Sequence, residues 1–206
     1  MTTPSTNSPG EDTAAGDAVA FDLADAAAEM RRVAENVRDD QLESPTPCSD
    51  WTVRDLAEHI CGLTRVFAEA ARHETPRDEP ANTGLPESWQ EELAAGLDSL
   101  VAAWREPEAW TGEADAGGVR MRSDEMAVVV LDELVLHGWD LARSTGQDFV
   151  ASDADIAVCM EFASAMSTPE TVESRDGLYG PVIEMTPDSS AFAKLLGLAG
   201  RNPSWP

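Results

Sequence analysis

Glu133 and His137 stand four residues apart on one stripe of a helical stretch whose other members, Met126, Val130 and Leu141, are apolar. At i and i+4 their side chains project to the same side one turn apart, the spacing at which two side chains of one helix can chelate a single ion. A third polar interruption of an apolar face is His59, which falls on the stripe Leu56, Ile60, Leu63, Phe67 and Ala70 of another predicted helix. Two imidazoles and one carboxylate form the three-protein-ligand set of an open zinc site, leaving room for water or a substrate atom. Ligand type does not choose the metal, because Fe(II) and Ni(II) accept the same donors. Asp140 lies three residues beyond His137 and can share its face. It would either accept an imidazole N–H and fix the ring's tautomer, or act as a cap or as a surface partner of Arg143. A plainer reading stands beside the metal one: Glu133 and His137 as a helix ion pair, and His59 as a core histidine with its hydrogen bonds met.

The remaining reactive side chains are expected outside the site. His73 ends its helix beside Glu74 and Thr75, where an exposed imidazole complements the helix dipole. Cys61 is two residues from His59, about 200° around the helix, and points away. Cys48 sits in the loop before that helix, where packing is expected rather than reaction. Cys48, Cys61 and Cys159 are odd in number and widely spaced, which fits neither a disulfide framework nor a CxxC knuckle. Trp51 and Trp139 are expected as core or pocket-wall aromatics, with Trp51 also placed to form a hydrophobic staple.

The elements that position these residues follow from apolar spacing. Leu23, Ala27, Met30, Ala34 and Val37 predict a first helix ending near Asp39. Thr52-Val-Arg-Asp55 has the spacing of a capping box, predicting a second helix to about His73. Trp89, Leu93, Leu97, Leu100 and Trp104 mark a third, which stops before Pro107. Glu106 to Arg122 has no period and is expected as a long loop. Ser123 is expected to cap a fourth helix that runs to about Thr145 and is closed by Gly146. A shorter helix is expected from Asp153 to about Met166, a strand or extended arm over Pro181-Val-Ile-Glu-Met185, and a last helical piece over Ser190 to Leu198. Four helices with inward polar groups predict an all-α four-helix bundle with a metal or cofactor site inside it and a short C-terminal helical or extended appendage. The organisation expected is a disordered acidic tail over 1–18, the bundle over 19–166 and a C-terminal extension over 167–206.

The chain has 206 residues with 39 Asp or Glu against 14 Lys or Arg, a net charge of −25. Such a surface would be repelled by nucleic acid and by anionic membranes, so small molecules or soluble partners are the expectation. No stretch approaches the roughly 20 apolar residues of a membrane span, and residues 1–17 lack the pattern of a signal peptide, so a cytoplasmic location is expected.

Three runs resemble a known family: Thr46-Pro-Cys-Ser-Asp-Trp-Thr-Val-Arg-Asp-Leu-Ala-Glu-His59, Leu131-Asp-Glu133-Leu-Val-Leu-His137-Gly-Trp-Asp140-Leu-Ala-Arg143, and the ending Gly200-Arg-Asn-Pro-Ser-Trp205. They are similar to an actinobacterial metal-binding family of the DinB-like superfamily, related to the N-terminal domain of mycothiol-dependent maleylpyruvate isomerase. The resemblance covers roughly residues 20 to 206. It implies a DinB-like bundle holding one divalent metal, usually zinc, on His59, Glu133 and His137. It also implies a thiol of mycothiol type as cosubstrate and an electrophilic small molecule as substrate, in a transferase or isomerase reaction. The tail from about Ser167 is short and resembles another branch of the family, so the isomerase reaction itself does not carry over. Arg120, Arg122 and Arg143 are the cations nearest in sequence to the fourth helix. The alternative from another class is a non-catalytic metal-binding sensor or interaction module, in which a fourth protein ligand, such as Asp140, would close the site.

Overall fold

Apolar periodicity places the first helices, and their packing order sets up the site. The computed structural model describes residues 21–48, 50–75, 84–171, 175 and 177–206; the tail expected over 1–18, and part of the polar stretch between Glu74 and Pro86, lie outside them. The helices are α1 (Ala24–Glu35), α2 (Val53–Ala71), α3 (Trp89–Trp104), α4 (Ser123–Ser144), α5 (Asp153–Ala165) and α6 (Ala191–Leu198). α1 and α2 each pack against both α3 and α4, which closes a four-helix bundle, while α5 packs on α4 and α6 on α5. The all-α, DinB-like expectation holds, with one small hairpin added. Among the described residues no helix is long and apolar enough to cross a membrane.

α4 is the central element. Fifteen of its 22 residues are buried, because the bundle covers one side of it and α5 another. A helix covered on two sides must satisfy any polar side chain within the protein, and α4 carries Asp132, Glu133, His137 and Asp140.

The second helix starts as its sequence predicts. The Thr52 hydroxyl accepts from the Asp55 amide at 3.2 Å, and the Asp55 carboxylate accepts from the Thr52 amide at 2.9 Å. Its C-terminus differs in detail from the expected dipole partner. His73 takes a left-handed backbone with φ 53°, and its two ring nitrogens lie 3.1 and 3.0 Å from the carbonyls of Glu113 and Glu108. The ring therefore ties the end of α2 to the segment after α3.

Two expectations need correction. The stretch from Glu106 to Arg122 is not a loop: it forms a short 3-10 turn over Pro107–Trp110 and an antiparallel hairpin of β1 (Glu113–Ala116) and β2 (Val119–Arg122). Gly117 and Gly118, with φ of 60° and 86°, supply the two positive-φ residues of a tight hairpin turn, and four-residue strands are too short to show a period of two. Ser123 is the first residue of α4, not its cap; its hydroxyl donates to the Thr111 carbonyl at 2.9 Å and fixes the helix to the hairpin. The other end of α4 closes on Gly146 as expected: φ is 71°, and the amides of Gly146 and Gln147 return to the carbonyls of Arg143 and Ala142.

Among the described residues, 181–185 form no strand, and the segment is held to α6 by the Ile183 amide donating to the Gly197 carbonyl at 2.8 Å. Gly138, next to His137, admits the Phe149 ring so closely that a Cβ there would lie 2.5 Å from it. Phe149 in turn stacks on Phe192 of α6 with ring centroids 6.0 Å apart.

Candidate metal centre

α2 and α4 cross so that the second turn of one faces the third and fourth turns of the other. His59, Glu133 and His137 each offer a ligand atom, and these atoms lie within 4.8 Å of one another. His137 Nε2 is 2.9 Å and His59 Nε2 3.9 Å from Glu133 Oε2. That oxygen is buried and receives no hydrogen bond of good geometry, despite the short approach of His137. A buried carboxylate oxygen left unaligned between two imidazole nitrogens fits a cation bound to all three.

The other side of His137 fixes its tautomer. Nδ1 lies 3.1 Å from Asp140 Oδ2, so Asp140 holds a proton on Nδ1, and the neutral ring that a metal requires presents its Nε2 lone pair toward Glu133 and His59. Asp140 is wholly buried and is met by Arg201, whose NH2 is 3.0 Å from Oδ2 and whose Nε is 3.4 Å from Oδ1. Of the alternatives the sequence left open for Asp140, the pairing with Arg143 is therefore overturned. The Arg143 guanidinium instead donates to the backbone carbonyl of Trp205.

Electrostatics follow this geometry. Burial raises the Glu133 carboxyl, but the positive charge of His137 outweighs it and holds the group well below the usual carboxylate range. Burial lowers the His137 imidazole, but the charge of Glu133 and the contact with Asp140 push it up to about 9. Burial likewise raises Asp140, and the charge of Arg201 with the His137 contact brings it below the ordinary value.

Two of the three donors are partly open to solvent. The His59 side chain is 33% exposed and Glu133 18%, whereas His137 is 8% and Asp140 is closed off. Trp51 forms a wall, its ring 4.7 Å from His59 and 6.1 Å from His137, centroid to centroid. Trp139 is core. Asp140 lies on the Nδ1 face of His137, away from Glu133, so it does not close the ligand set as a fourth donor.

Cys48 is nearer the site than its sequence position suggested. Its sulfur groups with His137 and Asp140 within 4.8 Å, on the side away from Glu133. Burial and the charge of Asp140 push the thiol up to about 11, so it stays protonated and packs. Cys61 points away as expected, its sulfur 3.8 Å from the Trp89 carbonyl. Arg120 pairs with Glu113 across the hairpin, and Arg122 pairs with Asp124 in the first turn of α4.

Sequence reasoning missed a second buried polar group on the opposite flank of α4. Asp132 accepts from the Tyr179 hydroxyl at 2.7 Å, its other oxygen receives no hydrogen bond of good geometry among the described residues, and burial pushes its carboxyl up to about 7. The Arg175 guanidinium lies over the Tyr179 ring at 5.1 Å. Asp132 adjoins Glu133 in sequence, so a polar residue on the covered side of a buried helix was the available signal. For Arg201 the signal was the Gly200-Arg201 ending, which carried no assigned role.

The family profile described as the mycothiol maleylpyruvate isomerase N-terminal domain matches residues 23–142. The match spans more than half of the chain, which therefore belongs to this family. Uncharacterized proteins from two strains of Mycobacterium tuberculosis are each 33% identical over 141 residues, covering 63% of this chain and 67% of theirs. Crystal structures of the mycothiol-dependent maleylpyruvate isomerase and of a mutant of it align with a TM-score of 0.49 at 20% and 19% identity, over 73% of this chain and 69% of theirs.

Proposed function

We propose that this member of the mycothiol maleylpyruvate isomerase N-terminal domain family binds one divalent metal, zinc foremost with nickel or iron as alternatives, on His59, Glu133 and His137. We propose further that it uses the metal to activate a low-molecular-weight thiol of mycothiol type toward an electrophilic small molecule, as a transferase or isomerase. The observation that carries the reading is the buried Glu133 Oε2, without an aligned hydrogen bond, between two imidazole nitrogens within 4.8 Å. When bound, such a metal supplies positive charge that lowers the pKa of a thiol placed on it.

The protein's own residues do the rest. Asp140 holds the proton on His137 Nδ1 and keeps Nε2 free, while Glu133 contributes the single negative charge of the ligand set. A dication beside Glu133, with Asp140 balanced by Arg201, leaves the centre with one unit of positive charge. That surplus favours an anionic ligand such as a thiolate over a neutral one. The partly exposed edge of His59 gives the ligand its way in, and the Trp51 ring excludes water from one wall.

Three protein donors and an open side favour turnover over a closed sensor site. The test is metal content of untagged protein, followed by two thiol-dependent reactions, transfer to a chlorodinitrobenzene read as thiol consumed and isomerisation of maleylpyruvate read as loss of maleylpyruvate with the thiol regenerated, for wild type beside His59→Ala and His137→Ala. About one metal per chain, lost in both variants together with the thiol reaction, is the expected result. Metal in the wild type without any thiol reaction would leave the sensor reading. A folded wild type that takes up no zinc, nickel or iron overturns the proposal.

A further inference from the structure

We infer that Arg201, from the segment after α6 and outside the matched domain, is a positioning residue of the metal centre that acts on His137 through Asp140. The inference rests on the metal reading and adds a part of the chain that reading does not include: the family match ends at residue 142, and Arg201 lies 59 residues beyond it.

The contacts form one chain. Glu133 Oε2 faces His137 Nε2, His137 Nδ1 faces Asp140 Oδ2, and the same Oδ2 receives Arg201 NH2 while Oδ1 faces Arg201 Nε. Side-on contact through Nε and NH2 fixes the carboxylate in its plane as well as in position, which a single ammonium cannot do. Asp140 has no exposure, so its charge needs a counter-charge inside the protein, and among the described residues Arg201 supplies it. A carboxylate that only accepts is the partner that holds an N–H on Nδ1, and that N–H is what presents the Nε2 lone pair to a metal.

The fold is built to deliver this arginine. α6 ends with Gly200 at φ 78°, the Arg201 amide returning to the Leu196 carbonyl at 2.7 Å and the Gly200 amide to Gly197 at 3.1 Å. The turn sends Arg201 back beneath α6 into the core, where NH1 donates to the Ala199 carbonyl at 3.1 Å. Only glycine serves at this turn, because a Cβ on residue 200 would lie 2.5 Å from the backbone carbon of Gly180. The tail beyond is held by Arg143 on the Trp205 carbonyl. α4 thus grips the C-terminal segment at two places, and one of them is the support of a ligand.

The experiment compares wild type, Arg201→Met, Arg201→Lys, Asp140→Asn and the double variant Arg201→Met/Asp140→Asn as full chains. Zinc affinity is read by competition with a chromophoric chelator, folding by circular dichroism, and the His137 tautomer by its ring 15N shifts in the metal-free protein at about pH 10, where the ring is neutral. Arg201→Met should weaken zinc binding about 10- to 100-fold in a folded protein and shift the His137 ring signals. Arg201→Lys should recover part of the loss. In the Asp140→Asn background the Arg201→Met effect should shrink to less than about threefold, since the two act as one path. A folded Arg201→Met with wild-type affinity and ring shifts overturns the inference, as does a full loss that persists without Asp140. If Arg201→Met does not fold, the ring shifts and affinity of Arg201→Lys decide. If wild type binds no zinc, the metal reading fails, and unchanged ring shifts in Arg201→Met would then overturn the positioning role as well.

Discussion

Metal binding to this chain should release a proton, and the release can be worked out from His137. Its ring lies between two carboxylates, which overcome burial and push the imidazole up to about 9. A metal needs the Nε2 lone pair, so the ring must lose that proton. At about pH 7 the metal-free ring is two units below its own pKa and almost fully protonated, and each unit weakens apparent affinity about tenfold, ~1.4 kcal/mol. Zinc affinity should therefore rise roughly 100-fold from about pH 6 to about pH 8 and level off above about pH 9. The same shift sets the stability of the metal-free protein. A raised pKa stabilises the fold below the ordinary histidine value, and that contribution, roughly 3 kcal/mol, fades as pH rises through about 9. Glu133 has the opposite sign: its lowered pKa stabilises above the ordinary carboxylate value and is lost only as pH falls below it, so it does not vary over this window. The increase in melting temperature on adding zinc should thus grow with pH. Calorimetric titration in two buffers of different ionisation enthalpy counts the protons, and chelator competition gives the slope. Zinc binding with no proton released and no slope between about pH 6 and about pH 8 would refute the reasoning, since His137 would then be neutral before the metal arrives.

Three further outcomes are expected. Gly146→Ala and Gly200→Ala both force a side chain onto positive φ, but only residue 200 meets backbone within 4 Å. The first should cost about 1 kcal/mol, or about 2–4 °C in melting temperature, and the second about three times as much together with weaker zinc binding; equal losses would remove the reason given for Gly200. Asp132→Asn should flatten the stability profile between about pH 4 and about pH 7, because the raised Asp132 carboxyl stabilises only below its ordinary value and loses that contribution through about 7. Urea titrations across that range would show it, and an unchanged profile would mean that Asp132 is not the group titrating. Thr52→Ala removes one side of the capping box and should cost about 1 kcal/mol in urea unfolding without altering zinc affinity, since His59 lies in the second turn of α2, inside the capped end.

What was legible in the sequence was local, and what was not depended on contacts between distant segments. Glu133 and His137 stand out because a helix repeats every 3.6 residues, so two polar groups on an apolar stripe are visible without any tertiary information. The start of α2 and the close of α4 were readable from equally local signals, Thr52 with Asp55 and Gly146. The hairpin was not, since four-residue strands on either side of Gly117 and Gly118 carry too little pattern, and their pairing is decided by the turn. Asp140 marks the boundary between the two cases. Its spacing put it on the His137 face, but spacing offered Arg143 as a partner, three residues away, as readily as any other cation. The geometry chose Arg201, 61 residues away, because Asp140 faces the buried side of α4, while the half-buried Arg143 turns to the Trp205 carbonyl. A carboxylate with no access to solvent selects its counter-charge by what the fold can bring inside, and only a guanidinium delivered by a tight turn such as that at Gly200 meets the condition here. For this chain, then, a metal centre drawn only from the helices that carry its ligands omits the charge that keeps one of those ligands in register.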